Sequence, residues 1–482
     1  MLDLRDPSLL RHDALINGKW TPAHDGSRFP VTNPANGEMI AQVAALGPDE
    51  VEAAIDVSAK AQRIWAARTA KDRAAILRRW FDLVIENTDD LARIMTAEQG
   101  KPLAEARGEI AYAASFIEWF AEEGKRVYGE TIPSPTTENR LSVLRQPIGV
   151  TAAITPWNFP AAMITRKAAP ALAAGCSIIV RPAELTPLTA LALGELVVRA
   201  GVPAGVLQIV TGPARPIGKV LTDSEVVRKL SFTGSTEVGR VLMAQCAPTI
   251  KRLSLELGGN APFIVFDDAD LDAAVEGAVA SKFRNAGQTC VCANRIYVQR
   301  DVAEAFTRKL VAQVAALKVG PGTEDGVQIG PMIEDKTATK FREHIEDAVA
   351  RGARLEHGGE RLEGLFVTPA VVSGVTDEMI VAQEETFAPL APVFIFDTED
   401  EVIARANDTI FGLAAYFYSE GVRRSARVAE ALEYGIVGHN TGIVSNEAAP
   451  FGGVKQSGLG REGSRHGLEE YLEMKYIASR IV

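Results

Sequence analysis

Residues 149–183 read GVTAAITPWNFPAAMITRKAAPALAAGCSIIVRPA, in which a compact apolar strand, a helical stretch over 159–174 and a second apolar strand follow one another. The alternation continues through VLQIVTG (206–212), KLSFTGS (229–235) and KRLSLEL (251–257). Apolar strands separated by helices predict right-handed βαβ units and a doubly wound parallel sheet. Because ligands bind at the carboxyl ends of such strands, a site is expected at the loops ITPWNFP, VRPAELTP and SFTGSTEVG.

A second series of strands follows the first and predicts a second α/β unit. It begins at APFIVFDDAD and alternates with helices through strands near residues 295–299, 366–372, 393–396, 414–418 and 436–440.

The chain ahead of the first sheet carries hairpin and helix signals. Asn17-Gly18 and Asn36-Gly37 are typical of tight hairpin turns. Apolar residues at helical spacing then predict three helices, with Gly100 and Pro102 separating the second from the third. The predicted helices cover residues 49–67, 70–99 and 103–127.

Two segments fit neither unit. TIPSPTTENRLSVLRQPIG (131–149) is too polar and too rich in proline for a core and predicts two extended arms. EEYLEMKYIASRIV (469–482) resembles a strand with no partner in the sequence. Since exposed strand edges are usually covered, a second subunit is expected to cover it, in a homo-oligomer that is a dimer or a tetramer.

Composition narrows the class of protein. A chain of 482 residues with 47% apolar and 23% charged residues is expected to form two or three globular domains. The net charge of −11 argues against a nucleic-acid partner. MLDLRDPSLLRHD lacks the apolar core of a signal peptide, and no apolar run approaches the roughly 18 residues of a membrane span, so a cytoplasmic protein without a membrane partner is expected.

The metal-binding residue types are sparse. The four cysteines stand at positions 176, 246, 290 and 292, which is too scattered for a disulfide framework, and the six histidines form no cluster. The sequence therefore predicts no metal site.

The stretch FRNAGQTCVCANR (283–295) sets Cys290 in a short turn after an amphipathic segment, a position suited to a nucleophile. A thiolate adds to a carbonyl carbon, and the thiohemiacetal can lose hydride to a nicotinamide and leave a thioester. Glu256, at the end of KRLSLEL, is a candidate base for the water that hydrolyses it. The residue type alone favours a small buried hydrophobe instead.

Six motifs occur together in one order, and with them the chain resembles the aldehyde dehydrogenase superfamily over nearly its whole length, most closely the succinate-semialdehyde dehydrogenase branch. They are PWNFP (156–160), FTGSTEVG (232–239), LELGG (255–259), GQTCVC (287–292), EETFAP (384–389) and PFGGVKQSGLGREG (450–463).

The resemblance implies an α/β fold with two doubly wound domains, a Rossmann-like cofactor domain and a catalytic domain, plus a small β oligomerisation arm. The implied NAD(P)-binding domain comprises residues 1–126 and 148–257. The catalytic domain comprises residues 258–452, and the arm comprises 127–147 and 453–482.

The resemblance also implies three catalytic roles. Cys290 is the nucleophile, Glu256 the base and Asn158 the side-chain donor to the oxyanion, assisted by the Cys290 backbone N–H. A preorganised oxyanion donor is worth about 3 to 4 kcal/mol. Asn158 stands between two prolines, however, so a plain turn residue is the alternative interpretation.

The implied cofactor is NAD, with NADP possible. FTGSTEVG is neither a GxGxxG fingerprint nor a P-loop, but a Gly-Ser pair opening a helix favours phosphate. The resemblance assigns Gly234 and Ser235 to the pyrophosphate, although a glycine at such a turn needs no ligand. It assigns further cofactor contacts to Trp157, Ala183, Leu257, Glu385 and Phe387.

Arg181 departs from the family pattern, which usually has Lys there. A forked guanidinium suits a phosphate. Glu184 acts in the opposite direction, since a carboxylate accepts from both ribose hydroxyls and repels a 2′-phosphate at about 4 Å by roughly 4 kcal/mol at an effective dielectric near 20. Together they indicate that NAD is preferred and NADP tolerated.

The substrate is expected to be a small anionic aldehyde, because the resembled branch holds its far carboxylate at the positions of Arg166, Arg284 and Ser445. An isolated Arg on a helix is otherwise typical of a solvated face.

Cys292 is either the partner of a reversible disulfide with Cys290 or a packing residue. His439 stands where the family more often has an apolar residue, in a strand expected near the site.

The sequence leaves several functions open. The primary expectation is NAD(P)-dependent oxidation of succinate semialdehyde, with glutarate or 2-oxoglutarate semialdehyde as alternative substrates. A cofactor-independent thiol esterase or acyltransferase is an alternative of another class. Glu256 argues against a coenzyme-A-acylating enzyme, and the complete catalytic set argues against a purely structural relative.

Overall fold

The computed structural model describes residues 2–481, and its strands form two large sheets and two small ones. The strands are β1 (Ala14–Ile16), β2 (Lys19–Thr21), β3 (Arg28–Thr32), β4 (Met39–Ala44), β5 (Glu130–Ile132), β6 (Asn139–Pro147), β7 (Val150–Ile154), β8 (Ser177–Arg181), β9 (Leu207–Ile209), β10 (Val227–Thr233), β11 (Arg252–Glu256), β12 (Ala261–Val265), β13 (Ala293–Gln299), β14 (Arg354–His357), β15 (Ala370–Ser373), β16 (Leu390–Phe396), β17 (Ala414–Tyr418), β18 (Ile436–His439), β19 (Gly458–Leu459) and β20 (Leu472–Arg480).

The helices flank these sheets. They are α1 (Pro48–Ala66), α2 (Ala70–Glu86), α3 (Thr88–Gln99), α4 (Leu103–Glu123), α5 (Ala162–Ala174), α6 (Pro187–Ala200), α7 (Ala214–Asp223), α8 (Thr236–Cys246), α9 (Leu271–Phe283), α10 (Arg300–Ala315), α11 (Asp335–Ala350), α12 (Ile380–Gln383), α13 (Glu399–Asn407), α14 (Val422–Ala431) and α15 (Ser464–Glu469). Among the described residues no helix is both long enough and apolar enough to span a membrane.

The first sheet has the order β19-β11-β10-β7-β8-β9-β1-β2, and its five strands from β11 to β9 are parallel, which confirms the predicted doubly wound sheet. Its register aligns the carboxyl ends of the strands. Ile154 lies opposite both Arg181 and Phe232, and Thr233 lies opposite Glu256. The loops that leave these strands therefore meet along one edge.

The second sheet has the order β14-β15-β16-β13-β12-β17-β18 and is parallel apart from β14, so the second α/β unit is confirmed. Ala261 pairs with Ala293 at the amino ends of β12 and β13. Residues 257–260 connect the carboxyl end of β11 directly to the amino end of β12. The edge that bears Glu256 thus faces the edge at which the loop of Cys290 enters β13.

The expectation that the last strand has no partner within the sequence is wrong. β20 pairs antiparallel with β6 over its whole length, from Leu472 opposite Pro147 to Arg480 opposite Asn139, and β5 completes a three-stranded sheet. The partners stand more than 300 positions apart, so no local pattern links them. β20 still forms one edge of this arm.

The limits of the three domains stay a prediction. Within the segment 453–482 that was assigned to the arm, β19 pairs with β11 and so belongs to the first sheet.

The local predictions are confirmed at both hairpins and corrected in one helix. Asn17 and Gly18 connect β1 to β2 with φ of 51° and 72°, and Asn36-Gly37 connects β3 to β4. The single helix expected over 70–99 is two helices, because Asn87 leaves helical geometry at φ −103° and ψ 17° and its side chain bonds the Leu83 carbonyl at 2.8 Å. Side-chain bonding to a nearby carbonyl competes with helix continuation.

Candidate active site

A cavity of about 490 Å³ lies between the facing ends of the two sheets, within the usual size of a ligand pocket. It brings together nine of the residues selected from the sequence, namely Cys290, Glu256, Asn158, Trp157, Gly234, Ser235, Leu257, Glu385 and Phe387. It does not include Arg181, Ala183, Glu184, Arg166, Arg284 or Ser445.

The Cys290 loop is built on an unusual backbone. Asn285, Ala286 and Gly287 have φ values of 51°, 53° and 75°, three consecutive residues in the left-handed region. A Cβ on Gly287 would lie 2.3 Å from the Ala388 carbonyl oxygen, so only glycine fits there. Glu105 of α4 accepts a bond from Asn285 N at 2.9 Å. This anchored turn sets the path of the chain to Cys290.

The Cys290 thiol is partly exposed and is protonated at neutral pH. Burial raises its pKa to about 12, and the carboxyl groups of Glu385 and Glu256 act in the same direction, whereas Arg166 opposes them. The thiolate expected from the sequence is therefore not the resting state of the free protein.

Glu256 ends β11 with its carboxyl group buried, and neither oxygen has a hydrogen-bond partner among the described residues. Burial raises its pKa well above the ordinary value, and Glu462 raises it further, while Arg166 and Lys167 act against the shift. A buried carboxyl with a raised pKa and two unused oxygens has the properties of a general base.

Asn158 is held from several sides. Its Nδ2 donates to the Gln288 carbonyl at 3.1 Å, and its own carbonyl accepts from Lys101 Nζ at 2.8 Å and from Asn285 Nδ2 at 3.0 Å. An amide nitrogen carries two protons, and the Gln288 bond uses one of them. One fixed N–H is thereby left on a residue that lines the cavity beside Cys290.

A buried ionic cluster that sequence reasoning missed lies next to Glu256. Glu462 Oε1 accepts from Lys167 Nζ at 2.5 Å, and its Oε2 lies 2.9 Å from Arg166 Nε. Lys167 also donates to Thr233 Oγ1 at 2.6 Å. Burial opposes ionisation of Glu462, but Lys167 and Arg166 hold its pKa below the ordinary value. Glu462 lies near the end of the motif PFGGVKQSGLGREG, but nothing in the sequence indicates that its side chain contacts Arg166 and Lys167 of α5.

Two of the three predicted substrate residues lie together beside the cysteine loop, and the third, Arg166, lines neither cavity. Arg284 and Ser445 line a second, small cavity together with Val291, the neighbour of Cys290. The Arg284 guanidinium lies 5.3 Å from the centroid of the Phe159 ring. Arg166 is buried, paired with Glu462 and stacked at 4.0 Å over Phe451, although its Nη2 has no hydrogen-bond partner among the described residues.

The residues around the large cavity fit a dinucleotide. The Gly234 N–H donates to the Glu256 carbonyl at 3.0 Å, so Gly234 supplies space rather than a donor. Ser235 caps α8 through its Oγ, which accepts from Val238 N at 3.4 Å. A Cβ on Gly258 would lie 3.0 Å from Glu385 Oε2, so glycine keeps that part of the cavity open.

The far wall of this cavity was only partly predicted. Trp157 and Phe387 meet edge to face at 5.6 Å, and Phe387 has a φ of 56°. Burial raises the pKa of Glu385 to about 7. Lys336 and Lys340 of α11 also line the wall and were not identified from the sequence, although their i, i+4 spacing would have suggested a shared face.

Arg181 and Glu184 form an ion pair at the end of β8. Arg181 Nη2 lies 3.2 Å from Glu184 Oε1 and donates to the Gly212 carbonyl at 2.9 Å. Arg181 is buried, whereas the Glu184 side chain is 46% exposed. Glu184 therefore offsets the guanidinium charge at this end of the sheet.

The remaining residues selected from the sequence lie off both cavities. Cys292 is buried, with its Sγ 3.6 Å from the Lys282 carbonyl oxygen and 3.5 Å from that of Gly287, and both it and Cys290 are free thiols. A disulfide between them stays a prediction. His439 stacks on Phe417 at 4.6 Å and contacts Ser425 Oγ at 3.0 Å. Residues 2–481 contain no group of three or more His, Cys, Asp or Glu placed to hold a metal.

The fold and cavity define an α/β enzyme, and comparison with known proteins identifies its family. The model of the aldehyde dehydrogenase family matches residues 20–477. The chain is 63% identical over 476 residues to glutarate-semialdehyde dehydrogenase of Pseudomonas putida, covering 99% of each. It is also 63% identical over 478 residues to the NADP(+) succinate-semialdehyde dehydrogenase GabD of Escherichia coli, again covering 99% of each.

A solved structure agrees with these matches. The aldehyde dehydrogenase from Brucella melitensis biovar abortus 2308 superposes with a TM-score of 0.99 at 72% identity, covering 100% of this chain and 99% of that one. The chain belongs to the aldehyde dehydrogenase family.

We expect Cys290 to be the first cysteine alkylated by iodoacetamide, because the other three are buried. Only the thiolate reacts, and the raised pKa keeps the thiolate fraction small, so the rate is expected to rise roughly ten-fold per pH unit between about pH 7 and pH 9. Peptide mass spectrometry over time measures this, with Cys290→Ser as the control. A rate that stays flat across this range contradicts the raised pKa.

Proposed function

We propose that this chain oxidises succinate semialdehyde, or a closely related ω-carboxy aldehyde, to the dicarboxylic acid in an NAD(P)-dependent reaction. The observation that carries the proposal is that one thiol, one unpartnered carboxyl and one fixed amide line the same cavity. Those three groups supply a nucleophile, a base and an oxyanion donor.

Each group has one role in the proposed reaction. Cys290 Sγ, once its proton has passed to solvent, forms a bond to the aldehyde carbon, and the second N–H of Asn158 Nδ2 stabilises the oxyanion that the carbonyl oxygen becomes. Trp157, Glu385 and Phe387 would hold a nicotinamide, which would accept the hydride that the former aldehyde carbon loses as the thioester on Cys290 forms. Glu256 then activates the water that hydrolyses the thioester on Cys290, which frees the acid and the thiol.

We assign the anionic end of the substrate to the small cavity on the other side of the loop, a void of about 10 Å³ that has to widen to admit a carboxylate. A protein with a net charge of −11 must meet an anion with specific local cations, and Arg284 lines that cavity with Ser445. The named relatives act on glutarate and succinate semialdehydes, which differ by one methylene. One methylene changes binding by about 1 to 3 kcal/mol, so chain length is expected to be a preference rather than a strict limit.

A homo-oligomer is part of the proposal. Leu144, Met474 and Tyr476 lie on the arm sheet with 43%, 66% and 60% of their surface exposed. The adjoining edge of β20 has no strand against it in the single chain. Exposed apolar side chains beside an open strand edge favour coverage by a second copy.

We expect Arg284→Ala to raise KM for carboxylated four- to six-carbon semialdehydes at least about ten-fold, while KM for plain aliphatic aldehydes changes little, because the lost guanidinium binds only the anionic end. Steady-state kinetics with NAD and NADP measure this, with the exposed Arg308→Ala as control. Equal losses on both aldehyde classes would remove the carboxylate anchor. Ester hydrolysis without any nicotinamide-dependent oxidation would favour the thiol esterase instead.

We expect Glu256→Gln to retain a single burst of reduced nicotinamide, about one per active site, and to lose about 10²- to 10⁴-fold in steady-state turnover, since the thioester forms but is not hydrolysed. Stopped-flow absorbance separates the two phases, and Glu276→Gln on the surface of α9 serves as control. Loss of the burst itself would show that Glu256 acts before the thioester forms.

We expect Glu184→Gln to lower KM for NADP about ten-fold relative to KM for NAD. The substitution removes a carboxylate that repels a 2′-phosphate and releases Arg181 from its ion pair. The ratio of kcat/KM for the two nucleotides is the measurement, with Glu276→Gln again as control. An unchanged ratio would show that the 2′-position of the nucleotide does not approach this pair.

A further inference from the structure

Tyr112 lies on the face of α4 that meets the catalytic loops. Glu105, Glu109, Tyr112 and Phe116 follow one another at spacings of four, three and four residues, which places them in one stripe along the helix. Glu105 accepts from Asn285 N at 2.9 Å, and Glu109 accepts from Ala161 N at 2.9 Å.

The other end of the stripe reaches Arg166. The Phe116 ring lies 5.5 Å from the Arg166 guanidinium, and Tyr112 packs edge to face on Phe116 with the ring centroids 5.0 Å apart. Tyr112 is thus placed between the segment that leads to Cys290 and a residue already assigned to the substrate.

The Tyr112 hydroxyl is buried and makes no hydrogen bond of good geometry with a described residue, although the Ser445 side chain lies close to it. A buried tyrosine hydroxyl usually has a partner, because leaving it unpaired costs free energy. Burial raises the pKa of Tyr112, with Arg166 and Arg284 opposing the shift and Ser445 also acting on the hydroxyl. The phenol therefore stays protonated and remains available as a donor.

The groups gathered around this hydroxyl are mainly donors. Arg166 has an unpartnered Nη2, Arg284 is a second guanidinium, and Ser445 and Tyr112 add two hydroxyls. Arginine has no acceptor atom, so such a set is complementary to an anion with several lone pairs. Glu462 faces the set as well: its Oε1 accepts from Lys167, and its Oε2 lies 2.9 Å from Arg166 Nε as an ion pair without hydrogen-bond geometry.

We propose that the Tyr112 hydroxyl donates a hydrogen bond to the far carboxylate of the aldehyde substrate and so helps to determine specificity for carboxylated aldehydes. This inference rests on the proposed function and adds a residue to its substrate site. The two guanidinium groups supply charge, and the phenol supplies direction, since a neutral hydroxyl on a rigid ring donates its proton to a carboxylate oxygen along one line.

The test is Tyr112→Phe, which removes one oxygen and keeps the ring on Phe116. A hydrogen bond to a charged group is lost, so KM for the carboxylated aldehyde is expected to rise at least about ten-fold with kcat within about two-fold. The dissociation constant of the dicarboxylate product should increase by a similar factor. KM for an uncharged aldehyde of equal length should not change. Tyr128→Phe, at a tyrosine that is 74% exposed, is the matched control.

The outcomes separate this inference from the proposed function. If Arg284→Ala is selective for carboxylated aldehydes and Tyr112→Phe is not, Tyr112 is not a substrate residue, and the proposed function stands. If Tyr112→Phe weakens both aldehyde classes equally, its role is in packing and the inference is overturned. If neither variant discriminates the two classes, the carboxylate site itself is misplaced. Turnover of the uncharged aldehyde reports folding of each variant in the same assay.

Discussion

The short connection from β11 to β12 fixes the distance between the two halves of the catalytic centre. Leu257 N donates to the Ser457 carbonyl at 2.9 Å, and Ser457 Oγ donates to the Gly258 carbonyl at 2.7 Å. A Cβ on Gly259 would lie 2.6 Å from the Cys290 carbonyl oxygen, so the connection and the cysteine loop can touch only because no side chain intervenes. Glu256, the proposed base, and Cys290, the proposed nucleophile, belong to different sheets, and this contact holds the sheets end to end.

Burial raises the pKa of Glu256, and the buried charge of Glu462 beside it raises that pKa further. Lys167 and Arg166 keep Glu462 ionised in spite of burial, and the ionised Glu462 then raises the pKa of Glu256. Removing one partner of a buried ion pair commonly costs about 3 to 5 kcal/mol, so the cluster is also a rigid element. The pKa values of Glu256 and of the Cys290 thiol are both raised, so in the proposed reaction both groups would gain activity as the pH rises and protons leave.

Strand and helix periodicity made both large sheets predictable, since each βαβ unit is encoded in consecutive residues such as 149–183. The errors lie where a local pattern is overridden or a contact spans the chain. Asn87 breaks a helix that its neighbours favour, through a side-chain bond that periodicity does not contain. The partners β6 and β20 are far apart in sequence, and each is polar enough to look unpaired.

In the candidate site, too, some residues could be selected from the local sequence and others only from the contacts that the fold creates. Cys290 and Glu256 could be selected from their places beside a turn and a strand end, supported by the shared motifs, whereas Asn158 was selected through the resemblance that the motif PWNFP carries. Glu462 and Tyr112 could not, because an ordinary helix or loop residue becomes notable only when folding removes water and sets its partners. Arg166 was selected from the sequence as a free cation, whereas in the fold its Nε is paired with Glu462.

The cysteine loop divides the space around it into two unequal cavities. Cys290 lines the large one with Trp157 and Glu385, whereas Val291, the next residue, lines the small one with Arg284. Two consecutive residues therefore face different compartments. An aldehyde attacked by Cys290 would have its carbonyl carbon at the boundary, its tail toward the cations and its hydride-bearing face toward the larger cavity. In the proposed reaction the residues assigned to a dinucleotide and those assigned to an anion therefore lie on different sides of the loop, and a change on one side is expected to leave the other intact.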